Sequence, residues 1–192
     1  MLALAPTKPA ATTPTTPITL IGIDPGLRRT GYAIVRESVA GRPDGRLVEA
    51  GLVKLDPKAS LESRLAELEH SLVELLDRHT PQVLACEQLY AHYKHPRTAI
   101  LMGHARGVIL ALAARRHIRV LSIASTHVKK FLTGGGHATK PQMQRAVAFT
   151  LGLPAPPQPH DVADAIAIGL CGLRMLSAEG TTASAAARGA RQ

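Results

Sequence analysis

A chain of 192 residues that is 45% hydrophobic can bury one core of domain size, and with no Trp and five Tyr plus Phe that core is aliphatic. The formal charge is +9, and each end carries only one net positive charge, so the excess lies in residues 18–176 and points to a polyanionic partner, most often nucleic acid. Two cysteines exclude a disulfide framework, and the absence of a long uncharged apolar run and of a basic leader gives the expectation of a cytoplasmic protein without a membrane span.

Residues 1–17 are rich in Pro, Thr and Ala and are expected to be disordered. Ile18 to Ile23 then reads as a strand buried on both faces, because almost every side chain is aliphatic. It ends on Asp24, and Pro25-Gly26 turn the chain. Taken alone, Asp24 is either a turn cap or a metal ligand. GYAIV, residues 31–35, and RLVEAGLVK, residues 46–54, read as two further strands joined by short polar linkers, so an antiparallel meander is expected.

Leucines 61, 65, 68, 72, 75 and 76 recur at helical spacing, with Ser60 as N-cap. QVLAC, residues 82–86, is a fourth strand that ends on Glu87. Residues 96–116 are helical and apolar through the middle, which predicts a largely buried helix. VLSI, residues 120–123, is a fifth strand, followed by a short helix near 126–132 that stops at three glycines. Thr139 and Gln142 fit a capping box for a helix ending at Gly152. The last helix starts at His160 and is expected to end near Leu176, leaving 177–192 as a disordered Ala-rich tail. Three meander strands followed by helix-linked strands give an α/β domain with a mixed five-stranded sheet, in the order βββαβαβαα, with helices on both faces.

Two strands therefore end on acids, Asp24 and Glu87, and the last helix opens with Asp161 and Asp164 on one face. Each has an ordinary alternative: a cap, a solvated strand end, or a favourable charge at a helix N-terminus. Four acids at the ends of apolar elements are harder to explain that way. Carboxylates gathered in one place repel unless a divalent cation neutralises them, and an all-oxygen set suits Mg²⁺, with Mn²⁺ as substitute. In a basic domain this predicts two-metal phosphodiester hydrolysis, with ions roughly 4 Å apart. His92 and His95 have ligand-like spacing but no second pair of zinc ligands nearby.

The segments IGIDPGLRRTGYAIV, CEQLYAHYKHPRTAILMGHARGVI, HVKKFLTGGGHATKPQM and HDVADAIAIGL together resemble the RuvC family of Holliday-junction resolvases over residues 18–176. The resemblance implies a ribonuclease-H-like fold, a homodimer built on the 96–116 helix, and a branch-migration motor complex as partner. It implies Mg²⁺-dependent paired nicks at a four-way DNA junction in recombination and repair, with Asp24, Glu87, Asp161 and Asp164 as catalytic metal ligands. Tyr90, third after Glu87, stands in the place where the family often has a base-wedging Phe, with Tyr93 as the competing candidate. Lys129 and Lys140 match basic positions that resemble its phosphate-contacting or catalytic lysines. His160 precedes Asp161, and some relatives use His at the third acidic position. Two alternatives remain at this level: a junction-binding protein without catalysis, and an actin-like or sugar-kinase-type ATPase fragment resting on DPGLRRTG.

Overall fold

The computed structural model describes residues 16–40, 45–89 and 96–189. Most of the N-terminal tail therefore lies outside the described residues, as do Tyr90, His92, Tyr93, Lys94 and His95.

Five strands form one sheet: β1 Thr19–Asp24, β2 Arg29–Glu37, β3 Gly45–Lys54, β4 Val83–Glu87 and β5 Arg119–Ile123. Their spatial order is β3-β2-β1-β4-β5. β1, β2 and β3 pair antiparallel, and β4 joins β1 in parallel, as does β5 with β4. This is the expected mixed α/β sheet, with a β-bulge in the β2–β3 pair between Ile34 and Val35. β1 is central because its side chains are apolar on both faces.

Helix α1, Leu61–His79, starts where Ser60 accepts a hydrogen bond from the Ser63 amide at 3.3 Å. With α2, Pro96–Arg115, it covers one face of the sheet. Ile21, Ile23, Leu84 and Cys86 point to that side. Helices α3 Ser125–Thr133, α4 Lys140–Leu151 and α5 His160–Gly189 cover the other, against Leu20, Ala33, Val35 and Ala85. Gln142 reaches back to accept the Thr139 amide at 2.8 Å, as its capping position predicts.

Three expectations need correction. The order βββαβαβαα counts one helix too few after β5, where all three helices expected from the sequence are present, so the order is βββαβαβααα. The stretch 177–189 continues α5 instead of forming a loose tail. Its alanines are good helix formers, and Arg119 of β5 ties it down through Glu179 at 2.6 Å. Finally, α2 is not largely buried. Ala105, Ile109, Leu112 and Ala113 are, but Gly103, His104 and Gly107 are exposed and Ile100 is 62% exposed. By length and composition residues Arg97–Arg115 could even cross a membrane, which the sequence reading did not anticipate. Arg106 in the middle of that stretch is hydrogen-bonded to the sheet, and the inner face packs on α1, so the helix belongs to the packing of the domain.

A candidate nuclease site at the end of the central strands

Strand parity decides where the acids point. Side chains alternate along a strand, so Asp24 shares a face with Leu20 and Gly22, and Glu87 with Val83 and Ala85. That is the face covered by α5. The parallel register pairs Ile23 with Cys86, so Asp24 and Glu87 are the next residues along neighbouring strands.

α5 lies unusually close to the sheet there. An added Cβ at Gly22 would come 2.6 Å from the Gly169 nitrogen, and one at Gly31 would come 2.7 Å from the Asp161 carbonyl carbon. Gly31 stands opposite Asp24 in the β1–β2 register. The missing side chain therefore admits the first turn of α5 beside Asp24, which brings Asp161 and Asp164 to the strand ends. All four acids line one cleft of about 380 Å³ with Arg29, Ser125, Lys129, Lys140 and His160.

The turn after Asp24 does not rely on that carboxylate. Buried Thr30 closes it, its hydroxyl accepting the Gly26 amide at 3.2 Å and donating to the Gly26 carbonyl at 2.6 Å. Burial, reinforced by Asp164, Glu87 and Asp161, raises the Asp24 carboxyl well above its usual range, and Lys140 opposes this. Glu87 is raised by burial and by Asp164, against Lys129 and a hydrogen bond from Ser125. Asp164 is raised by burial, with Asp161 adding to it, and Lys140, His160 and Lys129 pull the other way. The site thus holds more negative charge than its own lysines balance.

Asp161 is the best anchored acid. Arg29 Nε stands 3.3 Å from its Oδ2 and His160 Nε2 3.4 Å from its Oδ1. Yet Oδ2 is buried without a hydrogen-bond partner, which leaves an oxygen able to take a further cation. Among the described residues no three His, Cys, Asp or Glu side chains form a ready-made metal cage. Mg²⁺ does not need one, because it is usually held by one or two carboxylates together with water and substrate phosphate. The donor set therefore fits a divalent metal.

The structure brings Asp24, Glu87, Asp161, Asp164, Lys129, Lys140 and His160 together, as the sequence predicts. Tyr90 lies outside the described residues. The sequence reading did not single out Arg29 for the site and passed over Ser125. Arg29 follows the DPG turn within one short motif, a signal that could have marked it; Ser125 opens a short helix and carries no comparable signal.

A five-stranded sheet of this order, with acids at two strand ends and at the start of a helix laid across them, defines the ribonuclease-H-like class of hydrolases. The family model for "Crossover junction endodeoxyribonuclease RuvC" matches residues 20–172. A protein of that name from Rhodopirellula baltica is 49% identical over 154 residues, covering 80% of this chain and 84% of the relative. The solved structure of T. thermophilus RuvC in complex with Holliday junction substrate superposes with a TM-score of 0.74 at 31% identity, over 83% of this chain and 97% of that one. The yeast mitochondrial Holliday junction resolvase Ydc2, at 17% identity and a TM-score of 0.53, shares the fold. The chain belongs to the RuvC family of crossover junction endodeoxyribonucleases, DNA hydrolases. The ATPase alternative is thereby set aside.

Proposed function

We propose that Asp24, Glu87, Asp161 and Asp164 are the catalytic carboxylates of a nuclease that resolves four-way DNA junctions by paired, symmetric nicks. The observation that carries this reading is the convergence of two strand-end acids with two acids of the first turn of α5 in one cleft. Mg²⁺, with Mn²⁺ as substitute, would be held by these carboxylates, and when bound it supplies charge neutralisation and an activated water. Asp24, Glu87 and Asp164 hold raised proton affinities because of burial and mutual repulsion, so they are poised to accept positive charge. Lys140 and Lys129 face the same cleft and would hold the scissile phosphate and stabilise charge developing on it. His160 and Arg29 orient Asp161.

A homodimer would place two such clefts on a two-fold junction, each meeting one strand. The uncovered apolar face of α2 is the surface we assign to subunit pairing. Tyr90 is proposed to stack on a base near the crossover. A branch-migration motor complex is the proposed partner in recombination and repair.

The test is incubation of the purified chain with a synthetic four-way junction and Mg²⁺. Paired nicks in the wild type, absent from Asp24→Asn while junction binding persists, support the reading. Binding without nicks in the wild type would reassign the chain as a non-catalytic junction-binding protein.

A further inference from the structure

Glu87 is held from the far side of the sheet. Its carboxylate points to the α5 face, while Cys86 and Ser122, paired in the β4–β5 register, point to the α1/α2 face. Arg106 approaches from α2 on that second face. Its Nε donates to the Glu87 carbonyl at 3.1 Å and its NH2 group donates to Ser122 Oγ at 2.7 Å. The Cys86 thiol, pushed up to about 12 by burial, stays protonated and donates to the same carbonyl at 3.7 Å. Beyond this point Gln88 makes one more ladder bond, to Ile123 at 2.9 Å, and the described part of the segment ends at residue 89. Arg106 thus grips the main chain where β4 delivers its acid.

We infer that Arg106 is a positioning residue for the nuclease reaction, fixing the main chain at Glu87 and coupling the placement of that acid to helix α2. It never meets the cleft, since it does not line it. It acts through a carbonyl, so its loss moves the Glu87 carboxylate without removing any side chain that lines the cleft. The inference rests on the reading of Glu87 as a catalytic acid. If α2 also carries the subunit interface, one helix serves both pairing and the geometry of each site.

The experiment compares full-length wild type, Arg106→Ala, Arg106→Lys and Ser122→Ala. Four quantities are measured: thermal midpoint, junction binding without divalent metal, kcat and KM for junction cleavage, and Mn²⁺ binding to the free protein by the loss of its aqueous EPR signal. Outer groups that orient a ligand typically change affinity or activity by about 10–100-fold when removed. Arg106→Ala is expected to lower kcat by roughly that factor and weaken Mn²⁺ binding severalfold, with KM and junction binding within about twofold. Arg106→Lys restores part of the loss. Arg106→Ala with a lower midpoint but unchanged kcat and Mn²⁺ affinity would make Arg106 a brace for the fold and overturn the inference. If Arg106→Ala does not fold, Ser122→Ala decides, since it removes one of the two anchors: wild-type kcat and Mn²⁺ affinity there count against the inference. A wild type that binds junctions but never cuts overturns the proposed function, and the Mn²⁺ comparison still judges the role of Arg106.

Discussion

Gly31→Ala isolates the close approach that assembles the site. Gly31 lies in β2 opposite Asp24, and a Cβ there would sit 2.7 Å from the Asp161 carbonyl carbon. Ordinary contact begins near 3.4 Å. The Asp161 carbonyl oxygen lies nearer still, so helix and strand must part by more than about 0.7 Å, and the atoms met are backbone, which cannot rotate away. Overpacking of this kind costs about 1–3 kcal/mol, which for a domain of this size lowers the thermal midpoint by about 3–10 °C. The same displacement moves Asp161 and Asp164 away from Asp24. A misplacement near 1 Å can cost about 10²-fold in rate, so a loss of roughly 10- to 100-fold in kcat is expected. The assay is single-turnover cleavage of a four-way junction at saturating protein and Mg²⁺, run well below both melting points, with binding measured separately. Gly180→Ala is the control: it is also in α5, nothing lies within 4 Å of the added methyl, and it should stabilise the helix by up to about 1 kcal/mol with an unchanged rate. If Gly31→Ala melts and cuts like the wild type, tight seating of α5 on β2 is not what brings the acids together.

Asp24→Asn tests the repulsion in the site by stability instead of rate. The unfolded chain ionises an Asp near pH 4, whereas the fold holds the Asp24 proton to higher pH because of burial and its neighbouring acids. The wild type therefore loses stability as pH rises from about 4 through the raised folded value, and carries that penalty at neutral pH. Without divalent metal, Asp24→Asn should melt higher than wild type at pH 7, with the gap closing below pH 4; equal midpoints at pH 7 would refute the electrostatic picture. Lys140→Ala should slow cleavage on the order of 10²-fold. Because Lys140 opposes the raised proton affinity of Asp24 and Asp164, its loss should also shift the acid limb of the pH–rate profile to higher pH, and an unmoved limb would place Lys140 outside the site. Ile100→Asp on the outer face of α2 should change the stability of the single chain by less than about 0.5 kcal/mol, since the residue is 62% exposed, but convert the proposed dimer to a monomer in sedimentation. A variant that remains dimeric moves the interface elsewhere.

Each element was legible from residues close together in the chain. Apolar runs marked the strands, leucine spacing marked α1, and Ser60 and Thr139 marked helix starts, because these signals act within one or two turns. The four acids were legible for the same reason: each sits where an apolar element begins or ends. Where the local signal was ambiguous, the reading failed. An Ala-rich end looked loose and is helical, and the apolar α2 looked buried although only one face is covered. A helix that is apolar nearly all round does not say which side is packed or what packs on it.

The amino-acid sequence by itself determined the elements, the acids and the family resemblance. Only the tertiary structure decided that the acids meet. That meeting depends on strand parity, which turns Asp24 and Glu87 to the same face, and on the β1–β4 register, which sets them side by side. It depends on Gly31, which lets the first turn of α5 come within reach, and on Arg106, which fixes β4 from the opposite face. These are contacts between residues far apart in the chain, set by how sheet and helices pack, and no local pattern encodes them.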